Sequence, residues 1–179
     1  MPCDLLIRNG LVVDGTGVPG RVGDVAIADG RIVAVGDYDG TAREVLDASD
    51  CVVSPGFIDP HTHYDAQICW DGALTPSCWH GVTSVVLGNC GVGIAPCHPA
   101  AREVAMHDLV NVEAIPYDVL KQGITWDWET FPQYLDAASR RGSSLNLAFL
   151  APLTPLRHYV MGQASMERAA DADETARIA

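Results

Sequence analysis

Within the segment Gly56-Phe57-Ile58-Asp59-Pro60-His61-Thr62-His63-Tyr64-Asp65, two imidazoles stand two residues apart. On extended backbone, residues i and i+2 project to one face. His61 and His63 can therefore grip one divalent ion, each at about 2.0–2.1 Å. The apolar Phe57-Ile58 before them reads as a short buried strand running into His61, which puts the pair at the strand's C-terminal end. A bare His-x-His also occurs as a packed or surface pair with no ion, and the flanking Asp59 and Asp65 tip the balance toward ligation. Cys90 is the third candidate, in Gly88-Asn89-Cys90-Gly91 directly after the β-branched run Val82–Leu87. A thiolate in a Gly-rich turn at the end of a strand is a good soft ligand for Zn2+. The alternative is a small buried hydrophobe, the commoner fate of a free cysteine.

Other residues have two readings each. A metal-bound imidazole usually donates its second N–H to a carboxylate or carbonyl, a role open to Asp65, which is otherwise a solvated loop acid. Asp59 shares the face of the His pair and either supports it or is structural. Asn89 hydrogen-bonds a substrate or serves its turn. Arg157 forks onto a substrate carboxylate or forms a structural ion pair. Cys97 and His98 lie between Pro96 and Pro99 and read as a solvent-facing loop. The four tryptophans read as packing residues, although Trp126 and Trp128 flank a loop able to cover a pocket.

The elements that must position these groups fall into two textures. Residues 1–54 read as a small β-domain of short strands and tight turns. Leu5-Leu6-Ile7 and Leu11-Val12-Val13 flank Asn9-Gly10; Val25-Ala26-Ile27 and Ile32-Val33-Ala34-Val35 flank Asp29-Gly30. Both dipeptides tolerate the positive φ of a type I′ hairpin turn. Residues 55–179 read as α/β. Buried strands are expected at Val82–Leu87 and Leu145–Leu150, and helices over about Thr75–His80, Ala100–Val110 and Trp128–Arg141. Residues 151–164 read as an irregular Pro-rich loop, with Ser165 as N-cap of a last helix. The order implies parallel βα units. About three strands are visible there, too few to close a barrel, and the chain ends inside a helical pattern.

The chain has 179 residues, with 11 Lys+Arg against 23 Asp+Glu and a formal charge of −12. A complete (β/α)8 barrel typically needs about 250 residues. The acidic balance excludes a generic nucleic-acid binder, which shows a basic face. No apolar run approaches the ~20 residues of a membrane span, and Met1-Pro2-Cys3-Asp4 does not read as a secretion signal. Six cysteines without such a signal point to free thiols or ligands. A cytoplasmic location is expected.

The phrases SPGFIDPHTHYD, GVTSVVLGNCGVGIAP, ITWDWETFPQYLDA and LTPLRHYVMG, preceded by a small β-domain, resemble the amidohydrolase superfamily. More narrowly they resemble its D-aminoacylase, or N-acyl-D-amino-acid deacylase, branch. The likeness extends over nearly the whole chain. It implies a metal-dependent (β/α)8 TIM-like barrel flanked by a β-sandwich assembled from both chain ends, with residues 1–54 part of that sandwich and 55–179 the first βα units of the barrel. His61 and His63 match the family's first-strand ligands and Cys90 the zinc-binding cysteine after the second strand. One or two Zn2+ ions are implied. Several other branches bridge their metals with a carboxylated lysine. This chain's one lysine, Lys121, falls in an apparent loop, which favours the deacylase branch.

The implied reaction is hydrolysis of the amide bond of a small N-acyl-amino acid, and the acid/base aspartate and later histidine ligands are expected beyond residue 179. Where many deacylases carry Gly-His, this chain has Ala151-Pro152, a departure that bears on substrate preference. The chain alone is expected to be inactive, needing the rest of the barrel from the same or another chain, with homo-oligomers possible. The alternatives are a non-catalytic short subunit completed by a partner, or an amidohydrolase acting on a cyclic amide.

Overall fold

A computed structural model of the chain describes residues 2–179. They divide between Pro55 and Gly56 into two compact units.

The first unit is one sheet in the order β3-β2-β1-β4 (β3 Arg31–Gly36, β2 Arg21–Ala28, β1 Cys3–Val12, β4 Ala42–Asp47), with β5 (Val52–Val53) also on β1. β1–β2 and β2–β3 are antiparallel; β4 and β5 run parallel to β1. The Asp29-Gly30 turn closes β2–β3 with φ of 51° and 70°, as a type I′ turn demands. Asn9-Gly10 behaves differently. Asn9 does take a positive φ, 63°, but the chain does not reverse. β1 runs on for 10 residues and the dipeptide forms a register shift against β2. The expected hairpin is a bulge because β1 is flanked by β2 on one side and by β4 and then β5 on the other. The core here is small, centred on Cys3, Leu6 and Ala26. β4, unforeseen in the sequence, is almost fully exposed, so its apolar residues carry no alternation for burial to impose.

The second unit holds a parallel sheet, β6-β7-β8 (β6 Phe57–Asp59, β7 Val82–Leu87, β8 Asn146–Phe149). The helices are α1 (Arg102–Glu113), α2 (Tyr117–Gly123), α3 (Phe131–Arg141), α4 (Leu153–Met161) and α5 (Ala172–Ile178). Among the described residues none is long and apolar enough to cross a membrane. α3 begins at a reciprocal cap: Thr130 Oγ1 accepts the Gln133 amide while Gln133 Oε1 accepts the Thr130 amide. Its inward face carries Tyr134, Ala137 and Ala138 into a core with Leu74, Leu87, Leu109 and Leu120. Each of those leucines is essentially solvent-free, worth about 1.5–3 kcal/mol of transfer free energy. Trp128 lies before α3 and is pinned by its Nε1–H to the Ile94 carbonyl at 3.1 Å.

Several expectations are corrected. The expected burial of the strands is uneven: Val85 and Leu87, on one face of β7, are buried, whereas the adjacent Phe57 and Ile58 of β6, which point to opposite faces, are both exposed. Lys121 lies on α2, not in a loop. The 151–164 stretch forms α4 and a 3-10 turn, because Pro152 precedes the helix and Pro155 falls in its first turn, where no N–H is needed. Ser165 lies inside that turn; Asp171, with a capping box to Glu174, starts α5. Thr75–His80 is reduced to a 3-10 turn at Ser77–His80. Cys97 is buried, not solvent-facing, while His98 is exposed.

Candidate metal centre

β6 stops at Asp59, so His61 and His63 follow the strand rather than lie on it. Their alternation survives because Thr62 is fixed to β7. Its amide and its Oγ1 both donate to the Val86 carbonyl, at 3.0 and 2.7 Å. With Thr62 buried and held inward, its two neighbours share the opposite side. The rings are 5.4 Å apart between centroids and tilted by 58°.

Cys90 reaches the same place from the end of β7. Gly88, Cys90 and Gly91 take positive φ of 79°, 55° and 73°. A non-glycine residue there costs about 1–3 kcal/mol and persists where its surroundings impose it. Gly88 admits no side chain, since a Cβ would overlap the Leu150 carbonyl oxygen. The turn brings Cys90 Sγ to 3.1 Å from His61 Nε2. The ligand atoms of His61, His63 and Cys90 all lie within 4.8 Å of one another. Tetrahedral Zn2+ with nitrogen and sulfur ligands separates those atoms by about 3.3–3.8 Å; the donor set suits that ion, and small side-chain rotations bring the three atoms to that spacing. A pair of imidazoles and a thiolate leaves at least one coordination position for water, substrate or further ligands.

The supporting residues act on backbone. Asp59 Oδ1 accepts the His61 amide at 3.1 Å. Asn89 Nδ2 donates to Val86 O at 2.8 Å and Thr62 O at 3.3 Å, tying the Cys90 turn to the histidine segment. Asp65 is buried and accepts the Gly88 amide at 3.2 Å. Burial pushes its carboxyl up to about 7 against that hydrogen bond, and the Glu113 charge adds to the rise. The Asp65 carbonyl accepts from Tyr134 Oη at 3.0 Å, anchoring the loop to α3. Arg157 is not part of the cluster: it donates to the Ser165 and Arg168 carbonyls at 2.9 and 3.1 Å.

One neighbour escaped sequence reasoning. Glu113, the last residue of α1, brings Oε1 to 3.3 Å from His63 Nδ1. It lines, with Asp59, His61, His63, Tyr64 and Gln67, an open cavity of about 330 Å3. No spacing rule links position 113 to position 63. A carboxylate at a helix C-terminus, where the dipole disfavours it, is the signal that was available.

Comparison with known proteins bears on this site. A family model described as "Amidohydrolase family" matches residues 44–179. The chain is 39% identical over 178 residues to a D-aminoacylase of Alcaligenes xylosoxydans xylosoxydans, covering 99% of this chain and 34% of that protein. It superposes on a D-aminoacylase structure described as having a binuclear metal centre, with a TM-score of 0.80, 37% identity and coverage of 98% of this chain and 35% of the other. An N-acyl-D-glutamate deacylase of Bordetella bronchiseptica, complexed with zinc and a phosphonate inhibitor, matches with a TM-score of 0.81, 30% identity and coverage of 99% and 35%. The chain thus spans about a third of the length of these relatives.

Proposed function

The chain belongs to the amidohydrolase family, and we propose that it supplies the first part of a zinc-dependent enzyme hydrolysing the amide bond of N-acyl-D-amino acids. The observation that carries this reading is the convergence of His61, His63 and Cys90 at the ends of adjacent parallel strands. That is the end of a parallel barrel where chemistry resides. The likeness to D-aminoacylases supports the substrate class. In this reading residues 1–54 are part of a composite β-sandwich, and residues 55–179 are the first βα units of a (β/α)8 barrel. The remaining two thirds of the relatives' length completes both.

His61, His63 and Cys90 would hold one Zn2+, with a second ion compatible with the family. When bound, zinc polarises an amide carbonyl and lowers the pKa of water toward about 7. This chain's own residues do the holding. Thr62 fixes the alternation of the two histidines. Asp59 and Asn89 clamp the backbone on either side, and Asp65 joins the two loops. The proton shuttle to the leaving amine needs a carboxylate near the metal, assigned here to an aspartate outside residues 1–179. The chain alone would therefore bind metal without turning over substrate. All six cysteines are free, and a thiol that must stay reduced to bind zinc fits a cytoplasmic location.

The test is hydrolysis by the zinc form of the protein carrying this chain, assayed on N-acetyl-D-amino acids, their L-enantiomers and cyclic amides. Turnover of the D-series, abolished by His61→Ala and by chelator and restored by zinc, is expected. Turnover confined to cyclic amides would overturn the substrate class. Robust metal-dependent turnover by the 179-residue chain alone would overturn the division of labour.

A further inference from the structure

We propose that Glu113 is a positioning residue for the metal centre: its carboxylate holds the His63 ring with the proton on Nδ1, so that Nε2 is presented to the ion. The inference rests on the metal-centre reading above and goes beyond it, because no motif or matched ligand position includes Glu113.

The argument starts at His63 Nδ1. This atom is shielded from solvent and no hydrogen-bond partner meets it in line. The acceptor within reach is Glu113 Oε1 at 3.3 Å, a separation that a small rotation of either side chain converts to a hydrogen bond. Both side chains are largely covered, 20% and 19% exposed. A buried imidazole nitrogen without a partner costs about 1–3 kcal/mol, so the Nδ1–H···Oε1 arrangement is favoured over the alternative tautomer. With the proton on Nδ1, Nε2 is left bare, which is the form a metal requires.

Placement of Glu113 points the same way. It is the last residue of α1, and the chain leaves the helix through Ala114 at a left-handed φ of 54°. Helix C-termini carry partial negative charge and disfavour an anion by about 0.3–1 kcal/mol. A carboxylate there needs compensation, and the imidazole N–H, polarised further by an ion on the opposite nitrogen, supplies it. Asp59 and Asp65 do not compete for the role: their oxygens accept the His61 and Gly88 backbone amides.

The test uses the 15N-labelled protein and two readouts besides activity. In the zinc-free protein, two-bond 1H–15N correlations should show His63 as the Nδ1–H tautomer. Competition with a chromophoric chelator should show Glu113→Ala binding Zn2+ about 10–100-fold more weakly, the usual cost of losing such a partner. Glu113→Asp should recover part of that loss, which a purely structural role for the glutamate would not require. An Nε2–H tautomer in the unaltered protein, or unchanged zinc affinity and tautomer in Glu113→Ala, would overturn the inference while leaving the metal centre intact. If Glu113→Ala fails to fold, the tautomer of the unaltered protein decides. Zinc binding that is absent, or indifferent to His61→Ala, would overturn the metal centre and this inference together.

Discussion

Asp65 Oδ2 accepts the backbone amide of Gly88 at 3.2 Å, a buried bond joining the loop after β6 to the loop after β7. The first loop carries His61 and His63 and the second carries Cys90, so this bond, with that from Asn89 Nδ2 to the Thr62 carbonyl, holds together the two halves of the candidate centre. Asp65→Ala leaves the Gly88 N–H unsatisfied in a buried setting, a loss of about 1–3 kcal/mol. Asp65→Asn retains an acceptor oxygen of the same reach. Urea unfolding should therefore show Asp65→Ala clearly destabilised and Asp65→Asn close to the parent. Equal losses in both variants would mean that the carboxylate charge, not the hydrogen bond, matters.

The strand-end turn makes a steric prediction. Gly88 and Gly81 both take positive φ, 79° and 78°. An added Cβ at Gly81 meets Phe57 at 3.5 Å, ordinary contact, whereas at Gly88 it runs into the Leu150 carbonyl. Gly81→Ala should cost only the left-handed backbone strain of about 1–2 kcal/mol. Gly88→Ala should cost distinctly more and weaken zinc binding by shifting Cys90. Indistinguishable unfolding midpoints for the two variants would refute the overlap.

How far the sequence spoke varied with the range of the interaction. The Asp29-Gly30 turn was legible because its positive φ values (51° and 70°) are a demand that few residue pairs meet. The meeting of His61, His63 and Cys90 in space was legible because residue type and strand-end position coincide in short motifs. Asn9-Gly10 misled, since the same local chemistry serves a bulge when strands flank the segment on both sides. α4 was hidden by prolines that are harmless in a first turn. Glu113 was invisible because its relation to His63 spans 50 positions, and neither residue implies the other locally. Exposure of Phe57 and Ile58 was missed for the opposite reason: an apolar run announces burial without saying what provides it.

Asp127 sets an acid limit on the second unit. Burial raises its carboxyl, but hydrogen bonds from Arg141, Thr125 and Arg140 overcome this and hold it at about 2, below the ordinary 3.8. The unfolded chain takes up the proton first as pH falls, so the contribution is complete above about pH 4 and is lost toward pH 2. The side chain is 41% exposed, so the effect is small and screened. Asp127→Asn should be less stable than the parent at pH 6 and match it near pH 2, measured by urea unfolding at both. A difference that persists unchanged at low pH would assign the effect to packing.

Thiol reactivity separates the candidate ligand cysteine from the buried ones. Burial pushes the Cys69 and Cys97 thiols up to about 11, which leaves almost no thiolate at pH 8. Cys90 and Cys51 are exposed. Alkylation with iodoacetamide at pH 8, followed by peptide mass mapping, should modify Cys51 and Cys90 quickly and Cys69 and Cys97 slowly. Added Zn2+ should protect Cys90 and leave Cys51 unchanged, since among the described residues Cys51 belongs to no group of His, Cys, Asp and Glu able to hold an ion. His61→Ala should abolish that protection, because Cys90 loses the partner 3.1 Å away that would share its ion. Protection of both exposed cysteines would indicate scavenging of zinc by free thiols, and protection of neither would remove Cys90 from the ligand set.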